Sequence, residues 1–148
     1  MWKTRHKGPL RVLLGFSISR PTQLLEKSHQ LFGDVEFLFN SGRDATAIYL
    51  SGFVIELMLQ AKLFDRRLEP HMATLIYRSH DLDALMAECS VLENDLSSPV
   101  YAGVRASFMA IKSWSVRLRY NPKRPSRGDA TVYRRHLNEV RNWLNGRI

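Results

Sequence analysis

Arg105, Lys112 and Arg119 stand seven residues apart in the last third of the chain. On a single α-helix, each step of seven turns the chain by about 700° and advances it by about 10.5 Å. The three cations then form a ladder along one face, spaced for successive phosphates. Arg117 sits off that line. The segment "KRPSR" adds Lys123, Arg124 and Arg127, and a last helix adds Arg134, Arg135 and Arg141, of which Arg134 and Arg141 share a face. Tyr120, Tyr133 and Trp143 interleave with these bases. They either stack on nucleobases beside the phosphate contacts or serve as core while the charges form a solvated face.

Glu56 is the second residue of chemical interest. It stands in the middle of "AIYLSGFVIELMLQAKLF", which is apolar almost all round. A carboxylate buried there needs a partner or it takes up a proton. Gln60, four residues on, cannot neutralise it, and Lys62 falls on another face. Arg117 or Arg119 is therefore the expected partner. Glu56 is then either half of a buried ion pair that fixes helix register or a carboxylate lining a nucleotide or RNA cleft, with a general-base role as the remainder.

The five histidines and the lone Cys89 show no metal-ligand spacing, and no glycine-rich phosphate loop or Ser/His/Asp motif is recognisable. No metal and no cofactor is expected. His80, just before Asp81, is placed to cap or pack at a helix start. His136 beside Arg135 lies either at a phosphate site or on plain surface.

Charge is unevenly distributed over the 148 residues, whose net charge is +8. Residues 1–22 carry +5, residues 23–104 carry −6, and residues 105–148 carry +9. Two basic ends around an acidic middle suggest a polyanion partner or a protein with an acidic face. The opening "MWKTRHKGPLRVLLGFSIS" has too short an apolar run for a secretory signal. The stretch 47–64 carries a central charge that disfavours a membrane span. With a single cysteine, these features predict a cytoplasmic protein without a membrane partner.

The elements that must position these residues are helical. Residues 1–21 are a basic extension with a short β-prone run, and residues 22–148 form one domain. Thr22 is placed to cap a helix over 23–40, with Leu24, Ser28, Leu31, Val35 and Leu38 on one face and Leu25, Phe32 and Phe39 beside them. After the turn "NSGRD", a second helix spans 45–65, apolar over most of its circumference and hence central to a bundle. A third spans 81–96 with Leu82, Leu85, Met86, Cys89, Leu92 and Leu96 inward. Ser98 and Pro99 open a fourth over 99–120. Asp129 caps a fifth over 130–145, with Tyr133, Leu137, Val140 and Leu144 inward and Gly146 at its end. The expectation is an all-α, antiparallel bundle of four to five helices with a short N-terminal extension.

Several stretches carry a family likeness. "RDATAIYLSGFVIELMLQAKL" (Ala45, Ala47, Tyr49, Ser51, Gly52, Glu56 and Lys62), "SHDLDALM" (79–86), and "WSVRLRYNP" followed by a helix ending "VRNWL" resemble HEPN domains, the higher eukaryote and prokaryote nucleotide-binding family. The likeness covers roughly residues 23–145. It implies a small helical bundle, often dimeric. It also implies either a ribonuclease of toxin–antitoxin or phage-defence systems, a non-catalytic RNA or nucleotide binder, or a partner of small nucleotidyltransferases. The family's nucleases carry Arg-x4–6-His at the start of the last core helix. Here no histidine stands four to six residues beyond Arg117 or Arg119, and the literal match, Arg66 to His71, contains Pro70.

The functional expectation is thus an RNA- or partner-binding module without intrinsic nuclease activity. The first alternative is a metal-independent ribonuclease, active as a dimer, in which Arg119 meets His80 or His136. The second is an interaction subunit that meets a second copy or a nucleotidyltransferase through the apolar excess of helix two and the face bearing Trp114.

Overall fold

The computed structural model describes residues 18–64 and 79–148. The basic arm, the Arg66–His71 match and the end of the second predicted helix lie outside them. The described residues are all-helical: α1 (Pro21–Asn40), α2 (Asp44–Leu63), α3 (Leu82–Glu88), α4 (Ser90–Leu96), α5 (Ala102–Ile111) and α6 (Arg127–Asn145). Short 3-10 segments occupy Pro99–Tyr101 and Val116–Tyr120. The all-α bundle expected from the sequence is the observed architecture.

α1 begins earlier than its predicted cap at Thr22. Pro21 takes the first helical position, where its missing N–H and fixed φ carry no penalty. The Gln23 side chain accepts from the backbone N–H groups of Ser19 and Arg20, at 2.7 and 3.0 Å. Of the predicted inner face, Leu24, Ser28, Val35 and Phe39 are buried. The Ser28 hydroxyl donates to the Val54 carbonyl at 2.9 Å, so a small polar residue lets α1 and α2 approach closely.

A three-residue turn, Ser41–Arg43, reverses the chain between α1 and α2. Gly42 adopts φ 74° there, and a Cβ at this position would meet nothing nearer than the Arg127 guanidinium at 3.8 Å. The left-handed backbone is the only obstacle to a side chain. Gly42→Ala should therefore cost about 1 kcal/mol in urea unfolding. A loss above about 3 kcal/mol would place more on this turn than its geometry does.

α2 is the central rod. Twelve of its 20 residues are buried, on all sides. It packs against α1, α3, α6 and the second 3-10 segment. Among the described residues it alone has the length and hydropathy of a membrane span, and most of that surface is covered by protein. Gly52 provides the bed on which the Trp114 indole lies. That indole donates its N–H to the Tyr49 carbonyl at 2.9 Å and meets the Phe53 ring edge-on at 4.9 Å. The Trp114 face, expected to meet a second copy, is turned inward and only 6% exposed.

Helix directions follow from the cross-links. α1 is antiparallel to α6, since Arg134 meets Glu36 while Arg141 meets Phe32 and His29. α5 is antiparallel to α6, since Ser107 meets His136 while Tyr101 meets Trp143. α2 and α6 run parallel: Asp44 meets Arg127, Ser51 bonds Tyr133 at 2.8 Å, and Lys62 reaches the Arg147 carbonyl. Burial pushes the Tyr133 phenol up to about 12, with the Ser51 bond acting weakly against it. Tyr133 is thus a core anchor between the two helices, the second of the two roles open to it from the sequence.

Three predicted helices are corrected. The helix expected over 81–96 breaks at Cys89, whose ψ of 67° is not helical, although all six predicted inner residues are buried. The start of α3 is capped by the Asp81 carboxylate, which accepts from the Ala84 N–H at 3.0 Å, and not by His80. The helix expected over 99–120 ends at Ile111, because the chain must swing inward to seat Trp114 on Gly52. It resumes only as the 3-10 segment capped by Ser115, which accepts from the Arg117 N–H. The last helix starts at Arg127 with Ser126 as its cap. The Ser126 hydroxyl accepts from the Asp129 N–H at 3.0 Å, so the predicted cap, Asp129, sits one turn inside.

Candidate nucleic-acid interface

Breaking the fourth helix dissolves the ladder. Arg105 lies on α5, Lys112 at its C-cap, and Arg119 on a separate 3-10 segment. The sevenfold spacing therefore does not make a line of charge.

Four of the ten predicted contact residues are engaged by partners within the chain. Lys112 pairs with Asp83 at 3.4 Å. Arg127 pairs with Asp44, its Nη1 lying 3.1 Å from both carboxylate oxygens. Arg134 forms a two-pronged bond with Glu36, reaches the Asn40 side-chain oxygen at 3.1 Å, and lies over the Phe39 ring. Arg141 lies 3.7 Å from the centre of the Phe32 ring, and burial lowers the pKa of its guanidinium, partly offset by Glu36. The shared face of Arg134 and Arg141 is thus the face turned to α1. The acids of the chain's middle neutralise much of the helical charge.

The other six are exposed and make no ion pair among the described residues: Arg105, Arg117, Arg119, Lys123, Arg124 and Arg135. Arg105 and Arg135 are scattered along α5 and α6. Of the remaining four, Arg124 lines a surface depression with Arg43, a cation that the sequence hides inside the turn "NSGRD", Lys123 lines an adjoining one, and Arg117 and Arg119 stand on either side of Leu118 in that second lining. The N-termini of α2 and α6 come to the same end because those helices run parallel. There the α1–α2 turn faces the segment 117–127. Residues 43–46 and 117–127 hold six bases against one acid, Asp44, a net of +5. Their positive charge is augmented by the two helix dipoles.

The surface of this end is indented. One depression, of about 160 Å³, is lined by residues 42–46 with Arg124 and Pro125. Beside it and sharing Ala45, Arg124 and Pro125 is a second, of about 250 Å³. Tyr120, 77% exposed, stands next in the chain to that second depression, with the Arg119 guanidinium 5.4 Å from its ring centre.

Glu56 is buried as expected, but neither Arg117 nor Arg119 is its partner. His80 Nδ1 lies 3.0 Å from both carboxylate oxygens, and the Gln60 amide donates to Oε1 at 2.9 Å. Burial raises the Glu56 pKa above its usual value, while the His80 and Gln60 contacts pull it back. His80 is stacked edge-on against Phe53 and lines a groove with Lys112 and residues 113–116. The sequence points to the arginines because a continuous fourth helix would carry them back along α2. The break after Ile111 directs them instead to the exposed side of the chain.

His136 is also an internal group. Ser107, buried on α5, lies between it and Glu139. A hydroxyl has one proton, and a carboxylate only accepts. Ser107 therefore donates to Glu139 and accepts from His136 Nδ1–H at 2.9 Å. The serine is the middle member, which is not the order of a nucleophilic triad. Arg119 contacts the Val116 carbonyl and the Tyr120 ring, and neither histidine.

No known protein family, curated protein or solved structure matches this chain.

Proposed function

We propose that this protein is a HEPN-like helical module that binds RNA through the cationic end of its bundle, without intrinsic nuclease activity. One observation carries the binding part. Arg43 and Arg124, from distant stretches of chain, line one depression, Lys123 lines the adjoining one, Arg117 and Arg119 flank its Leu118 in the chain, and none of the five has an acid partner among the described residues. Clustering like charge in this way opposes folding, and a polyanion removes that penalty on binding. The HEPN likeness rests on the sequence patterns themselves; Glu56 of the second-helix pattern and His80 of the His-Asp-Leu pattern are bonded to each other. Binding without cleavage is favoured because His80 is bonded to Glu56 and His136 to Ser107, while Arg119 contacts neither.

Two sets of charge removals separate this site from generic basicity. Arg119→Ala, Lys123→Ala and Arg124→Ala together should weaken binding of a labelled RNA at physiological salt by roughly tenfold or more. Arg105→Ala with Arg135→Ala, away from the cationic end, should change it by no more than about twofold. Equal losses in the two sets, or none in either, would overturn the assignment.

A further inference from the structure

The depression of about 250 Å³ beside Tyr120 differs in chemistry from the rest of the cationic end. Part of its lining is apolar: Ala45 and Ile48 come from the first turns of α2, Leu118 from the 3-10 segment, and Pro125 from the loop before α6. Its rim is polar and cationic: Asn121, Lys123 and Arg124. Asn121 Oδ1 accepts from the Lys123 backbone N–H at 3.0 Å. That bond fixes the amide and leaves its NH₂ group as a donor at the rim. Phosphate uses no apolar surface, and an apolar ligand uses no cations. A nucleotide uses both.

The size agrees. The depression is about 250 Å³ and open to solvent on one side, so a flat ring can enter it without displacing protein. A pyrimidine base is such a ring, and the open side leaves room for a purine to project. A base inside a duplex is paired and stacked, and cannot enter such a pocket without being extruded. A free strand pays no such penalty.

We propose that this pocket takes one unpaired nucleobase of a single-stranded RNA, with Lys123 and Arg124 on the flanking phosphates and Tyr120 as a stacking surface for the neighbouring base. This deepens the RNA-binding reading and rests on it. It makes the module selective for single strands, where charge alone would accept any polyanion.

The test uses fluorescence anisotropy with three probes: a labelled 12-nucleotide RNA, the same strand with abasic sites throughout its middle, and the same strand annealed to its complement. On the unaltered protein, the intact single strand should bind about tenfold tighter than either of the others, the span of one or two base-stacking contacts. Ala45 is exposed, so Ala45→Phe fills the pocket without touching the core. Ala45→Phe and Tyr120→Ala should each weaken the intact strand by about five- to tenfold and leave the abasic strand and the duplex unchanged. If all three probes bind equally and with steep salt dependence, the base pocket falls and the RNA-binding reading stands. If none binds, both fall. If Ala45→Phe weakens all three alike, it acts on charge or fold, and the pocket assignment is overturned.

Discussion

Gly52→Ala is expected to destabilise the protein by about 3 kcal/mol or more, a large effect for the addition of one methyl group. A Cβ at Gly52 would sit 1.9 Å from Trp114 Cδ2 and Cε2, well inside hard contact. The indole has no easy retreat, because it is buried, donates to the Tyr49 carbonyl and is flanked by Phe53. Displacing it sacrifices most of what Trp→Ala costs, about 3–5 kcal/mol. Alanine gains about 1 kcal/mol over glycine in a helix interior, too little to reverse the sign. A double-mutant cycle isolates the clash. Trp114→Ala alone should cost about 3–5 kcal/mol. In that background Gly52→Ala should be neutral or stabilise by up to about 1 kcal/mol. Simple addition of the two losses in urea unfolding would mean that the indole does not occupy the glycine bed.

The second large effect concerns the buried carboxylate. His80→Ala should cost about 2 kcal/mol at pH 7, below the 3–5 kcal/mol of a fully buried pair because the His80 side chain is 46% exposed. The sign of its pH dependence follows from the raised Glu56 pKa. The folded state holds that proton more tightly than the unfolded state, so stability falls as pH rises from 4.5 through the raised folded value. Removing His80 takes away the main opposing influence and raises that value further. The deficit of His80→Ala relative to the parent should therefore be large at pH 7 and shrink toward pH 4.5. Among the described residues, Asp81, Asp83 and Lys112, the other charges at this groove, are exposed or paired with each other and remain in both proteins. Glu56→Gln abolishes the titrating group but keeps an acceptor for Gln60. It should cost no more than about 1 kcal/mol and flatten the parent's stability over the same window. A His80→Ala deficit independent of pH, measured by urea titrations at several pH values, would show that the pair is not what anchors α3 to α2.

The parts of this fold that are legible in the sequence are those fixed by periodicity within one helix. α1, α2 and α6 announce themselves by their apolar faces, and α2 by having apolar residues nearly all round. Breaks without glycine or proline are not legible. Nothing in "AECSVL" marks the bend at Cys89, and "IKSWSV" breaks because Trp114 has a bed 62 residues earlier, at Gly52, which is information from another helix. The charged ladder fails with that helix. The start of α6 does leave a signal, since Ser126 and Asp129 have the spacing of a capping box, but Gly128 between them reads as loop. The partner of Glu56 is out of reach, because a separation of 24 residues leaves no local signal. The candidate site is half visible. Arg119, Lys123 and Arg124 stand out in a basic stretch of sequence. Arg43, Ala45 and Ile48 join them only because α2 and α6 run parallel.

The salt dependence of RNA binding tests the cationic end most directly. For a single strand, the slope of log K against log salt is about −0.7 per phosphate neutralised. Five cations with no acid partner among the described residues give an expected slope of about −3.5, and removing Arg119, Lys123 and Arg124 should reduce it to about −1.4. A slope that is the same in parent and triple variant, or close to zero in the parent, contradicts the assignment of this end of the bundle to RNA.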